Sequence, residues 1–424
     1  VTMNNRAARF AVAFGIAFLA VPVLAQTEGT VANSTPAPVA YVYVQTNPGV
    51  VVYAAAANGT LTPVKGSPFK TTGQMEDISG KILISVGNTI LHVYPIESNG
   101  AVGKQISETN TASYSGSECG TTSGQGSVLD HTGKYLYVQL SSNGDCAAWQ
   151  TYQVDSNGHL QFLGDAEYST QDEYGHLIQS TAPTISSSNK FGYGAFREPY
   201  YSGNFCDGVY CPTFSAFTNA GGVLKHNPSF SEKAPEAESG LSFIPWAYTS
   251  PRADPYGHIA VLMDQVDEFG NFNGTPLQLA SFTINPVSGA ISSSNTYSNM
   301  PIVQVANSGE GDFPADRPIA MAMSPAGNIL AVAGQPGLQL FHFNGAAPPT
   351  AFGGLLDNDV DSDFVQVAWD TKDHLYALNL SPGQLIVYTV TPTSSVQAPG
   401  SPYDPGPLPF NTPWGVKGII VVSK

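Results

Sequence analysis

The residues best suited to acid–base chemistry are Asp172-Glu173-Tyr174-Gly175-His176, with Arg197-Glu198 and Asp316-Arg317-Pro318 further along the chain. A hydrolytic site needs a base to activate water and a cation to stabilise the developing oxyanion. Glu173 or His176 has the chemistry of the base, and Arg197 or Arg317 that of the electrophile, with Glu198 and Asp316 beside the two arginines. The competing reading is a set of loop-anchoring salt bridges and hydrogen bonds, and it is favoured. Trp246 and Trp414 each follow a proline. Their indoles suit stacking on a ring-shaped ligand, although aromatic packing inside a core is the commoner use. Asp357, Asp359, Asp361 and Asp363 alternate along one short segment. Such spacing supplies the hard oxygens that Ca²⁺ takes, but the segment lacks the Gly and distal Glu of an EF-hand loop, so a solvated acidic turn is favoured. No cofactor is required by any of these groupings. Gly-x-Ser-x-Gly, His-Glu-x-x-His and phosphate-loop patterns are absent from the sequence.

Composition removes whole classes of function. Charged residues make up 11% of the 424 residues, against about 25% in a typical soluble domain. Sixteen basic residues face 32 acidic ones, a formal net charge of −16. Phosphate neutralisation needs Lys and Arg, so nucleic-acid binding is not expected, nor is docking on anionic lipid. With 43 Gly, 32 Pro and 42% hydrophobic residues, the chain is turn-rich yet able to build a core.

The opening segment reads as an address. Arg6 and Arg9 precede an apolar run from Ala11 to Ala25, and Gln26-Thr27-Glu28-Gly29 is polar. That order is a secretory signal peptide over residues 1–25, with cleavage after Ala25. The rival, a retained anchor, is short of the ~20 apolar residues that a span needs. Residues 26–40 read as a flexible leader, and no membrane span is expected after cleavage. The expected location is periplasmic or secreted, and the expected mature charge is −18 once Arg6 and Arg9 are gone. Export places Cys119, Cys146, Cys206 and Cys211 in an oxidising compartment, where disulfides form.

Something must position these residues, and the rest of the chain says what. Beyond residue 40 the apolar runs are short, alternating and bounded by Gly, Pro, Asn or Ser, as in Tyr41-Val42-Tyr43-Val44 and Asn328-Ile329-Leu330-Ala331-Val332. This is an all-β pattern. It also repeats: a Tyr-Val-type strand recurs near residues 41, 82, 135, 191, 258, 329 and 374. Asn58-Gly59, Asn99-Gly100 and Asn157-Gly158 are tight-turn dipeptides at one place in the unit, and Gly221-Gly222, Ser288-Gly289 and Asn344-Gly345 take that place later. Four-stranded units at this period predict a seven-bladed β-propeller over 41–424. The first unit lacks an innermost strand, and the last segment, Trp414-Gly-Val-Lys-Gly-Ile-Ile-Val-Val-Ser423, is a spare one. Closure by one C-terminal strand joined to three N-terminal ones is therefore expected, because it removes open sheet edges.

Asn58-Gly-Thr-Leu-Thr-Pro-Val-Lys-Gly-Ser-Pro-Phe69, Gly400-Ser-Pro-Tyr403 and Lys134-Tyr-Leu-Tyr-Val138 resemble the blade motifs of secreted bacterial lactonase-like (6-phosphogluconolactonase-like, YVTN) seven-bladed propellers. The resemblance runs over about 41–421 and implies the fold, with a sugar lactone as the substrate class of any hydrolase. Enzymes of that group use His, Arg and Glu at the top of the central channel. Their motif contexts are not recognisable here, so those roles are not carried over.

In such a fold, second-to-third-strand loops and blade-to-blade connections share one face, here called the top. The four cysteines fall there, and Cys119–Cys146 and Cys206–Cys211 are the expected pairs, since bridging needs Cα atoms within about 7 Å. The long connections fall there too, with many acids, among them Asp145, Asp264 and Glu310. The expected function is a monomeric module that binds a small molecule, glycan or protein through this acidic, long-looped face. The alternative is hydrolysis of a sugar lactone at the top of the channel.

Overall fold

The computed structural model describes residues 37–87, 89–111, 124–141, 147–167, 179–180, 183–197, 214–227, 229–246, 249–267, 274–306, 320–357, 362–409 and 418–424. These residues belong to one unit, Ala37–Lys424; the other, Val1–Pro36, lies outside them and carries the predicted signal segment.

Alternation along each strand sets the architecture. In Ala40–Gln45 all six residues are buried. Tyr41 and Tyr43 pack with Met75 and Leu83 of the next sheet, while Val42 and Val44 pack with Tyr376 and Leu378 of the previous one. A strand that hides both faces cannot carry charge, which accounts for the sparse Lys, Arg, Asp and Glu. Seven sheets form the ring. Blade 1 is Leu61–Pro63, Val50–Ala55, Ala40–Gln45 and Ile419–Ser423; blade 2 is Gln74–Ser79, Ile82–Gly87, Ile90–Pro95 and Ser107–Asn110; blade 3 is Gly124–Leu129, Tyr135–Ser141, Ala147–Val154 and Leu160–Glu167. Blade 6 runs from Ala320–Met323 to Ala347–Ala351 and blade 7 from Phe364–Trp369 to Ser394–Gln397. Seven apolar clusters lie one per seam between neighbouring blades, the last joining blade 7 to blade 1. The seven-bladed ring and its closure by the C-terminal strand are as the repeat predicts: Ile419–Ser423 pairs antiparallel with Ala40–Val44.

Blades 4 and 5 depart from the simple four-stranded plan. The inner strand of blade 4 is split into Gln179–Ser180 and Thr184–Ile185, both pairing with Phe191–Arg197, with Phe214–Ala220 and Val223–His226 outside it. In blade 5 the inner strand is split into Ser242–Pro245 and Arg252–Ala253, followed by His258–Val266, Gln278–Ile284 and Ile291–Ser292. Its outer edge is covered by Glu232–Lys233, which pairs in parallel with Ile291–Ser292.

The repeated turns have a common job at the seams. A Cβ on Gly100 would lie 2.4 Å from the Tyr41 ring, and one on Gly222 would lie 2.2 Å from the Tyr135 ring. Gly158, Gly289, Gly345 and Gly59 likewise sit against Ile82, Phe191, His258 and His374. Each of these third-to-fourth-strand hairpins therefore rests on the first or second residue of the second strand in the preceding blade. The exception is the blade 6–7 seam, where the Thr391–Ser394 turn has no glycine. Tyr43 and Tyr193 tie two of these contacts by donating their hydroxyls to the Gly100 and Gly289 carbonyls, at 3.0 and 2.9 Å. The Ser-Pro-aromatic motif is strand chemistry as well. Ser67 and Ser401 each accept the N–H of Val52 and Val387 at 2.9 Å, and Phe69 and Tyr403 bridge back to Val50 and Leu385.

Asp–His pairs brace two hairpins on the face opposite the top. His258 Nδ1 lies 2.8 Å from Asp254 Oδ2, and His374 Nδ1 lies 2.8 Å from Asp370 Oδ2. Asp370 also accepts from the Tyr376 hydroxyl at 2.8 Å. Burial alone would raise the Asp370 carboxyl, but the hydrogen bonds from the His374 ring and backbone and from Tyr376 hold it below its usual value.

Candidate functional site

The strand registers show which end of the ring carries the long connections. Ser141 pairs with Ala147, Ala195 with Phe214, and Met263 with Gln278. Arg197–Phe214 and Val266–Gln278 therefore enclose long second-to-third-strand connections at the top of blades 4 and 5. Blades 1, 6 and 7 turn tightly at the same end. Gln45 to Val50, Gly334 to Gly337 and Asn379 to Gln384 pair directly across turns that contain a cis-proline followed by glycine. The second-to-third-strand connections at this end are thus unequal in length, short in blades 6, 7 and 1 and long in blades 4 and 5. Buried side-chain amides brace the blades with short connections. Gln45 Oε1 accepts Met75 N at 2.7 Å, and Gln339 Oε1 accepts Gln304 N at 2.7 Å.

Of the residues singled out in the sequence, Glu173, His176, Glu198, Asp316, Arg317, Trp414, Asp359 and Asp361 lie outside the described residues, as do all four cysteines. Arg197 ends the second strand of blade 4, paired with Gln179. Trp246 is 7% exposed and packs in the blade 5–6 seam with Leu262, Val305 and Met321. It is a core residue rather than an exposed platform. Asp357 is exposed with φ 50°, in the left-handed region that Asp tolerates better than most residues. Asp363 is half-buried; its N–H donates to Asn379 Oδ1 at 3.0 Å, and burial pushes its carboxyl above the usual range. Among the described residues no three His, Cys, Asp or Glu side chains come close enough to hold a metal ion. None of the described helices is long and apolar enough to cross a membrane.

Two carboxyls not singled out as chemical in the sequence stand out in the structure. Glu76 is fully buried at a register shift between Met75 and Asp77 in the inner strand of blade 2. A bulge re-aims a side chain out of the regular alternation, and here it falls on the strand nearest the axis. Asp264 is 8% exposed near the top of the second strand of blade 5. Ala260 and Leu262 share its strand face and pack against blade 6, so Asp264 belongs to that seam. Its Oδ1 accepts Gln265 N at 2.7 Å, and burial pushes the carboxyl up to about 7. A free carboxyl titrates near 4. A raised folded value favours the protonated form, so the stability it lends is complete below about pH 4 and is lost as pH rises through about 7. Asp264→Asn should remove that slope, and its thermal midpoint should gain on the wild type between pH 5 and 8. Parallel midpoints over that range would show that Asp264 stays ionised.

On the opposite face, a groove of about 450 Å³ lies between the lower hairpins of blades 2 and 3, lined by Asp77, Ser79, Asp130 and His131. Asp130 is already committed to Lys134 N, Tyr135 N, Thr132 and Asn189, and Asp77 accepts the N–H groups of Ile78 and Leu129. These are turn and seam contacts.

No family model matches the chain, and no curated protein matches it. Solved structures do. A Bacteroides uniformis protein described as a candidate 6-phosphogluconolactonase superposes with TM-score 0.56 at 11% identity, covering 90% of this chain and 99% of that one. A Bacteroides fragilis protein described in the same way gives TM-score 0.54 at 11% identity over 91% and 98%. A Lactobacillus plantarum protein gives 0.56 at 14% over 91% and 99%. At such identities the likeness establishes the propeller fold across nearly the whole chain, and the fold alone.

Proposed function

We propose that the protein is an exported propeller that binds a small molecule, glycan or protein through its top face. The observation that supports this is the unequal length of the connections at that face. On a ring of seven seams, the second-to-third-strand connections are tight cis-proline turns in blades 6, 7 and 1 and long in blades 4 and 5. Long loops on a rigid scaffold are the usual place for recognition. Export, with Gln26 as the mature N-terminus, and the Cys119–Cys146 and Cys206–Cys211 pairs complete the proposal. N-terminal sequencing and non-reducing peptide mapping test those two parts. For binding, the mature protein is screened on a glycan array beside a variant in which residues 199–212 are replaced by a short Gly-Asn turn. Retention by the wild type, lost in a variant with an unchanged thermal midpoint, is the expected result. Equal retention by both would overturn the top face as the binding surface.

Asp264 favours a second reading. A carboxyl titrating near neutrality beside the top of the ring suits proton transfer, as lactone hydrolysis requires. A panel of sugar lactones assayed with wild type, His176→Ala and Asp264→Asn separates the readings. Turnover that falls at least 100-fold in either variant would establish hydrolysis. No turnover by the wild type removes it.

A further inference from the structure

Three lysines stand at the same place in three consecutive blades, on the face opposite the top. Each lies in the first-to-second-strand turn, just before the second strand and just after a residue with left-handed backbone. Lys81 follows Gly80 at φ 56°, Lys134 follows Gly133 at φ 66°, and Lys190 follows Asn189 at φ 56°. In blade 6 Asn328 holds that place, after Gly327. Hydrogen bonds across the seams join the three turns. Ser79 Oγ donates to Gly133 O, His131 N donates to Asn189 Oδ1 at 2.9 Å, and Asn189 Nδ2 donates to Asp130 Oδ2 at 3.2 Å. All three lysines are exposed, and among the described residues none has a carboxylate within ion-pair distance. The acids beside these turns, Asp77 and Asp130, are buried. Asp155, whose hairpin rests on Ile82 through Gly158, is taken up by His159 Nδ1 at 3.1 Å and by the N–H groups of Asn157 and His159 at 2.8 Å. The net charge of −16 thus hides an arc of exposed cations. Between two of them lies the groove of about 450 Å³, with Ser79, Gly80, Asp130, His131 and Thr132 in its walls.

We propose that this arc docks an acidic polysaccharide, with sugar hydroxyls in the groove and carboxylates on Lys81, Lys134 and Lys190. Two features select that class. The groove walls carry Asp77 and Asp130, which repel an anion seated inside, while Ser79, Thr132 and the turn backbone suit hydroxyl groups. The lysine ammoniums outside the groove offer three donors each and complement carboxylates spaced along a chain. A neutral glycan would leave the lysines unused. A duplex nucleic acid brings phosphates where hydroxyls are needed, and its charge density meets a chain of net −16. The surface lies on the opposite face from the long top connections, and the proposal does not rest on those being a recognition site.

The test follows fluorescent hexagalacturonate by anisotropy as the mature protein is titrated in at low salt. Saturable binding that weakens as NaCl is raised is the expected result. Lys81→Gln/Lys134→Gln/Lys190→Gln should weaken it about tenfold at an unchanged thermal midpoint, and Lys81→Arg/Lys134→Arg/Lys190→Arg should keep it within about twofold. Lys65→Gln/Lys70→Gln/Lys233→Gln makes the same change in net charge outside these turns and should leave the affinity as it is. Methyl-esterified hexagalacturonate keeps the ring hydroxyls without the charge and should not bind. No saturable binding, equal losses in the two glutamine triples, or equal binding of the methyl ester overturns the proposal. Tighter binding of inorganic polyphosphate or duplex DNA than of hexagalacturonate overturns the assignment to a polysaccharide.

Discussion

Deleting residues 418–424 will leave a protein that does not hold the folded ring. The C-terminal strand is the innermost strand of blade 1, and among the described residues no other strand pairs with that edge of Ala40–Gln45. Its contacts reach both neighbours. Gln366 Oε1 of blade 7 accepts the N–H groups of Gly418 and Ile419, Thr371 N donates to Ser423 Oγ at 2.9 Å, and Lys424 N donates to Val39 O at 2.8 Å. Ile419 is 4% exposed in the blade 7–1 cluster. Its burial is worth about 1.5–3 kcal/mol, before the lost ladder bonds and the newly exposed Ala40–Gln45 edge are counted. Against a total stability of about 5–15 kcal/mol, the loss is a large fraction. The truncated chain should elute as aggregate or lose its cooperative thermal transition, because a bare edge strand templates pairing between molecules. A monomer within 5 °C of the full-length midpoint would show that closure by this strand is dispensable.

The second large effect is at the seam glycines. Gly100→Ala places a Cβ 2.4 Å from the Tyr41 ring at φ +85°. Tyr41 is 5% exposed and its hydroxyl donates to Ser98 O at 3.2 Å, so the ring has little room to retreat. The left-handed backbone costs about 1–2 kcal/mol for a non-glycine residue, and overpacking adds about 1–3 kcal/mol. The expected destabilisation is about 2–5 kcal/mol by denaturant titration. Gly80→Ala is the control: Gly80 also has positive φ, +56°, but a Cβ there meets nothing within 4 Å, so only the backbone cost applies. If both substitutions cost the same, the hairpins are not wedged against the preceding blade.

The carrying elements of the fold were legible residue by residue. Tyr41-Val42-Tyr43-Val44 announces a strand buried on both faces, and the recurring Asn-Gly and Ser-Gly dipeptides mark the hairpins. The spare strand read at 414–423 announces closure, and the structure places it at Ile419–Ser423. What local pattern could not show is how blades 4 and 5 are altered. The split inner strands and the parallel addition of Glu232–Lys233 follow from which segments meet across long connections, and strand propensity carries no information about that.

The candidate site was less legible, for a related reason. Trp246 after Pro245 reads equally as a stacking platform or as core, and only the approach of blade 6 decides for core. Asp264 reads as one more acid on an acidic rim; it is its position in an apolar seam that pushes its carboxyl up to about 7. By itself the sequence determined the strand periodicity, the turn chemistry, the acidic balance and the ring, because these depend on the alternation of near neighbours. Tertiary structure alone decided which face each side chain shares with the next blade. Burial, pKa and cross-blade hydrogen bonds arise between residues far apart in the chain, such as Tyr137 and Asn219, and are set only when the blades come together.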